Sequence, residues 1–266
     1  MPVLIVDSHC HVAANWWEPV ESLLFQMDRH GVEHAVLVGD YSEPSNDYQT
    51  ECVRRFPGRF ASVVVVDPSR PDAVAVLERL AGEGASGLRL RQMARSPGDD
   101  PFAIWRAAER LGLAVTCPGR SPQYGSPEFL SLVESVPKLP IVIEHLGSGN
   151  TLDVESVPPD VRHNVFRLAR FPNVYVKVHG LGEFCRRKVP PDGDFPFERP
   201  IPPLLDVACD AFGASRMMWG SDYPPVSARE GYGNALRLPM EQLARLSAED
   251  RALVFGGVAL RLFPIR

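Results

Sequence analysis

Short runs of aliphatic and β-branched residues alternate along the chain with longer stretches in which apolar positions recur every three or four residues. The first kind reads as strand. It occurs eight times, at residues 3–9 (VLIVDSH), 34–40 (HAVLVGD), 60–67 (FASVVVVD), 86–92 (SGLRLRQ), 113–118 (LAVTCP), 140–146 (PIVIEHL), 174–180 (VYVKVHG) and 216–222 (RMMWGSD). The second kind reads as helix, at 18–31, 72–84, 101–112, 126–136, 160–171 and 202–213. Several of these stretches open near Pro, Asp or Ser and close on Gly, as helix start and stop signals do. A last helix over 247–263 opens with the capping pair Ser247 and Asp250.

Strict strand–helix alternation predicts a parallel sheet. Eight repeats spaced about thirty residues apart predict an α/β fold of the (β/α)8 TIM-barrel kind, spanning 1–266 as a single domain. A doubly wound open sheet is the alternative, but the first strand–helix turn has no Gly-rich phosphate loop. One long insertion follows the seventh strand, near 183–203, with six prolines between Pro190 and Pro203. A proline-rich loop of that length suits a lid or an interface segment.

Composition narrows the class. With 266 residues, 45% of them hydrophobic, the chain can bury a sizeable core. A net charge of −5 gives no basic patch for a nucleic-acid partner. The longest apolar runs are strand-sized, far short of a membrane span. The N-terminus opens on a strand pattern with no basic stretch before a long apolar one, so a cytoplasmic location is expected. Five scattered cysteines without a CxxC read as reduced thiols, with Cys10 turned away from its histidine neighbours. The expected partner is a small-molecule substrate, and the proline-rich loop could serve a homo-oligomer.

Candidate chemistry collects at the strand ends. In a barrel of this kind the active site lies at the C-terminal ends of the strands. Strand 1 brings His9 and His11, two apart and so on one face, with Asp7 expected on that face too. Strand 4 brings Arg89 and Arg91, strand 6 His145, strand 7 Lys177 and His179, and strand 8 Asp222. Glu144 alternates away from His145 and is expected to face the helices. Trp16, Trp17, Tyr41, Tyr124 and Tyr223 follow strand ends and are candidates to wall a pocket. Ionisable groups gathered at one rim of an apolar barrel are costly unless they are used.

The segments DSHCH (7–11), IEHLG (143–147), VYVKVHGL (174–181) and RMMWGSDYP (216–224) resemble the amidohydrolase superfamily, and within it the amidohydrolase-related branch of lactonases and decarboxylases. The resemblance spans nearly the whole chain. It implies that His9 and His11 are the HxH metal pair. His145 lies near metal or substrate carbonyl, and Asp222 can ligate metal and act as base. A divalent ion on such ligands, zinc or manganese, would bring the pKa of bound water to about 7. Arg89 and Arg91 stand where a carbamylated lysine would be needed for two metals, so the site holds one ion or none. Lactonases of this branch can work with the HxH pair and the aspartate alone.

Three readings follow. The first is a hydrolase opening a lactone or similar cyclic ester of a small carboxylated or sugar-acid substrate, with Asp222 deprotonating water and Arg89, Arg91 and Lys177 gripping an anionic group. The second is a metal-dependent nonoxidative decarboxylase, with His179 handling the proton. The third is a binding protein on a decayed barrel.

Overall fold

The computed structural model describes residues 4–14, 18–42, 45–147, 163–190 and 193–265. All eight expected strands form: β1 (Val6–Cys10), β2 (His34–Val38), β3 (Phe60–Val65), β4 (Gly87–Arg89), β5 (Ala114–Cys117), β6 (Ile141–Ile143), β7 (Val174–Val178) and β8 (Met217–Trp219). They pair in parallel in sequence order. Among the described residues, closure between the ends of β8 and β1 is made by two backbone bonds near the strand tips, Asp222 N–H to the His9 carbonyl at 2.8 Å and His11 N–H to the Tyr223 carbonyl at 2.7 Å, while Gly220 N–H continues the β7 ladder on the Val178 carbonyl at 2.9 Å. The result is a (β/α)8 barrel.

Side-chain alternation gives the barrel two cores. Val36, Val38, Ala61, Val63, Ala114, Val142 and Met218 fill the inside, where Val258 and Phe263 of the C-terminal segment join them. Leu37, Phe60, Leu88, Val115, Ile141, Val176 and Trp219 face outward, against the helices. Apart from Ala61 and Ala114, both kinds of residue are β-branched or large, which suits strands buried on both faces.

The helices include Val20–His30, Ala73–Gly82, Ala103–Arg110, Pro127–Ser135 and Leu204–Phe212, close to expectation. Ser247 caps Ala248–Ala252 as predicted, its hydroxyl accepting from Asp250 N–H at 3.0 Å. Among the described residues three helices were not foreseen: Asp47–Arg55, Ser121–Tyr124 and Tyr232–Gln242. The first is strongly polar and the last holds an internal proline, Pro239, which masks the periodicity. The start of the expected 160–171 helix lies outside the described residues, and the described part is Asn164–Arg167 followed by a 3-10 turn.

Among the described residues of the proline-rich segment, Arg187 and Phe197 form an antiparallel bridge. Lys188 N–H bonds the Pro196 carbonyl at 2.8 Å and Glu198 N–H the Arg186 carbonyl at 3.0 Å. Among the described residues no helix is long and apolar enough to cross a membrane.

Candidate active site

Local backbone irregularities bring the site together. The register of β1 on β2 slips by one residue between Asp7 and Cys10. An extra residue in one strand reverses which face its later side chains use. Val6 therefore points into the barrel, and so do His9 and His11. Asp7 is turned out instead, where it accepts from Ser221 N–H (2.8 Å), Ser221 Oγ (2.6 Å) and the Tyr232 hydroxyl (2.9 Å) of the helix layer. The expectation that Asp7 shares the histidine face is thus overturned by the bulge. Burial raises its pKa despite these bonds. Its role is to clip the β8 turn to β1. Gly220 matters at the same seam, because a Cβ there would lie 2.7 Å from the His9 Cβ.

His145 and Asp222 both sit in the left-handed region, at φ 55° and 59°. Few non-glycine residues adopt it, and those that do tend to be held there for a reason. The turn explains a second correction. Glu144 continues the β6 alternation of Val142 and points into the barrel, not toward the helices. His145, one residue beyond, reaches the same space only because the chain turns left-handed there. Glu144 Oε2 lies 3.8 Å from His145 Nε2.

The four imidazoles and Asp222 converge. Ring centroids of His9 lie 4.9 Å from His11, 4.4 Å from His179 and 5.5 Å from His145, and His145 stacks on His179 at 3.8 Å. Asp222 Oδ1 faces the Nε2 atoms of His9 (3.7 Å) and His11 (3.6 Å), while Oδ2 accepts from Arg229 at 2.9 Å. His9, His145, His179 and Asp222 each offer a ligand atom within 4.8 Å of the others, the spacing of a one-ion site. His179 thus joins the group, with His11 beside it against Asp222.

The outer nitrogens decide where protons sit. His179 Nδ1 accepts the His145 backbone N–H at 2.9 Å, which leaves the ring proton on Nε2. His9 Nδ1 meets Lys177 Nζ at 3.2 Å, and Nζ also donates to the Ser8 carbonyl at 2.8 Å. With Lys177 charged, the His9 proton is also on Nε2. Both Nε2 atoms are buried without a partner among the described residues, which is what a bound ligand would satisfy. His11 is the opposite case. Its Nδ1 lies 2.7 Å from the Val38 carbonyl, which can only accept, so Nδ1 carries a proton, and Nε2 is turned to Asp222 Oδ1 at 3.6 Å. A divalent ion fits the spacing, and holding it on His9 and His179 would need their Nε2 lone pairs, with the ring protons on Nδ1 instead.

Charge follows the same logic. Burial, reinforced by Lys177 and by His145 respectively, pushes His9 and His179 well below the ordinary imidazole range, so both are neutral. Burial alone would lower His145 too, but Glu183, 2.5 Å from its Nδ1, outweighs it and raises the pKa. Burial also raises Glu183, so this pair holds a proton between its two members. For Asp222 burial is outweighed by His11, His145 and Arg229, and the carboxyl stays ionised well below the usual range. Lys177, entirely buried, is pushed down to about 8 by burial.

The other expected residues divide. Arg89 is buried and bidentate to Glu144 (3.1 and 2.8 Å), with Nη1 on the Gly39 carbonyl and Asp40. Lys177 lies beneath His9 rather than at the mouth. Arg91 is exposed, 4.7 Å over the Tyr41 ring, and borders a recess of about 560 Å³ with Gln92, Met93, Arg120 and Gln123. Tyr41 lines that recess, whereas Tyr124 and Tyr223 are buried in packing and wall nothing. Trp16 and Trp17 lie outside the described residues. Sequence reasoning missed Glu183 and Arg229. "HGLGE" carries a hint, since a lone acid closes an apolar turn, but Arg229 has no signal beyond following Asp222 by seven.

These protonation states predict a pH profile of stability. His9 and His179 have folded pKa values below their unfolded ones, so unfolding takes up protons once the pH falls under about 6.5. Stability should then drop by about 1.4 kcal/mol per pH unit for each group. His145, with a raised pKa, is charged in both states there and adds no slope. Urea unfolding in chelator at pH 7, 6 and 5 checks this. His179→Asn should flatten the slope by one group's share, and a flat profile for the native sequence would refute the assignment.

Comparison with known proteins gives the family. The model of the family described as amidohydrolase matches residues 6–265, and the chain belongs to that family. It is similar to a 4-sulfomuconolactone hydrolase of Hydrogenophaga intermedia, 26% identical over 262 residues that cover 91% of this chain and 80% of that protein. An L-fucono-1,5-lactonase of Burkholderia ambifaria is 34% identical over 144 residues, 52% of this chain but only 46% of that protein. An amidohydrolase from Burkholderia multivorans, crystallised with bound zinc, shares the fold with a TM-score of 0.74 at 21% identity, over 99% of this chain and all (100%) of that one.

Proposed function

We propose that the protein is a lactonase that opens a small cyclic ester bearing an acidic or polyhydroxylated substituent. The observation that carries this reading is Asp222, ionised and left with Oδ1 toward the His9 and His11 Nε2 atoms while Arg229 holds Oδ2. A water on Oδ1 gives up its proton to Asp222 as its oxygen attacks the lactone carbonyl carbon. The carbonyl oxygen, now an anion, takes hydrogen bonds from the Nε2 protons of His9 and His179, which are buried and so worth more than in water. Collapse breaks the ring C–O bond. The leaving alkoxide takes the proton held by His145 and Glu183, and a hydroxy acid is released. A divalent ion held on these ligands, zinc or manganese, would polarise the carbonyl in place of the two N–H donors and make the water more acidic.

Arg91 at the Tyr41 recess is the group we assign to the substrate's anionic substituent. Arg89 and Lys177 act behind the site, on Glu144 and His9. The names of the relatives, a fuconolactonase and a sulfomuconolactone hydrolase, favour ring opening over decarboxylation.

A panel of sugar-acid lactones and carboxylated muconolactones, followed by acid release, tests the proposal. Carbon dioxide is measured in the same samples. Ring opening without carbon dioxide is expected. In chelator kcat should stay within about tenfold, because the protein's own N–H donors activate the carbonyl. No opening above the buffer rate, with and without zinc or manganese, or carbon dioxide release, would overturn it.

A further inference from the structure

We propose that Arg229 is a positioning residue that locks the water-activating carboxylate and the proton-donating pair into one unit. Its guanidinium reaches two carboxylates on different loops. Nη2 donates to Asp222 Oδ2 at 2.9 Å, after β8, and Nη1 to Glu183 Oε1 at 2.9 Å, after β7. Each carboxylate spends its other oxygen on the chemistry: Asp222 Oδ1 on the His9 and His11 side, Glu183 Oε2 on His145 Nδ1. A planar fork with fixed donors holds two such groups in one mutual geometry, whereas a lysine is a point charge on a flexible stem that fixes the orientation of neither.

The neighbouring residue strengthens the clip. Glu230 Oε1 accepts Gly182 N–H at 3.0 Å, and its carboxylate occupies the notch that Cβ atoms at Gly180 or Gly182 would fill. Arg229 and Glu230 together therefore fasten the β8 loop to the 3-10 turn Leu181–Glu183. The need is clear from the backbone. His145 and Asp222 are both left-handed, a conformation that relaxes unless side-chain ties hold it. Arg229 ties Asp222 directly and ties His145 through Glu183.

The inference rests on the lactonase reading for its kinetic arm only. Arg229→Lys and Arg229→Gln should lower kcat at least about 30-fold with KM changed less than about threefold, since Nη1 and Nη2 are spent on Glu183 and Asp222. Guanidinium ion added to Arg229→Ala should restore activity at least fivefold, which a purely structural defect would not allow. A second arm needs no turnover. The melting-temperature losses of Asp222→Asn and Glu183→Gln should be non-additive in the native background and additive in Arg229→Gln. Retention of kcat within threefold in Arg229→Lys, or additivity in the native background, overturns the inference. If no lactone is opened by the native protein, the lactonase reading fails, and the melting cycle alone still decides the coupling.

Discussion

Asp222→Asn is expected to lower kcat for ring opening by about 10²–10⁴-fold, the range a positioned general base contributes. The amide keeps the size and the left-handed backbone but cannot accept a proton. It also faces Arg229 with a neutral oxygen, or with an NH2 that repels it. The remaining machinery stays: His9 and His179 still present Nε2–H, and His145 still shares a proton with Glu183. That division gives the variant a signature. Without its base the site depends on hydroxide from solvent, so log kcat should climb with pH at a slope near one. The native protein, whose base is already ionised through the whole neutral range, should show no such rise over the same interval. Initial rates on one responsive lactone from pH 6 to 9 measure both. Activity within tenfold of native at pH 7, or parallel pH profiles, would remove Asp222 from the reaction.

How far this site was legible in the sequence depends on how regular the backbone is at each residue. The strands were readable because apolar runs with turn signals leave little choice, and the rim residues followed from the barrel rule. His9, His11, His179 and Asp222 converge as their strand positions implied. Errors fell where the period of two breaks. The β1 bulge turned Asp7 outward, and the left-handed step at His145 let both Glu144 and His145 face inward. No local pattern announces either, since both depend on what the neighbouring strands demand. Arg229 and Glu183 were invisible for another reason. They lie at the ends of short 3-10 turns beyond the strands, and their meaning is in a contact 46 residues apart in sequence. The long polar helix Asp47–Arg55 was missed because its mean hydropathy is low and only Gln49 and Cys52 are buried.

Glu144→Ala should destabilise the fold by about 3–5 kcal/mol, the cost of leaving one partner of a buried ion pair uncompensated. Arg89 is buried in the barrel and spends Nε and Nη2 on Glu144. Its remaining partners are the Gly39 carbonyl and Asp40, whose side chain is 23% exposed and so screened by solvent. Burial would raise the Glu144 pKa, but the Arg89 charge outweighs it and lowers it. The pair therefore stabilises the native state above about pH 4.5 and loses that contribution as the pH falls through the depressed value. If this account is right, removing both charges is gentler than removing one. The double replacement Arg89→Met with Glu144→Leu should be markedly more stable than Glu144→Ala, because no orphaned guanidinium remains. Urea unfolding at pH 7 compares the three proteins. A loss under 1 kcal/mol in Glu144→Ala would mean that Asp40 alone neutralises Arg89. The barrel end would then hold its charges far more loosely than the bidentate geometry implies.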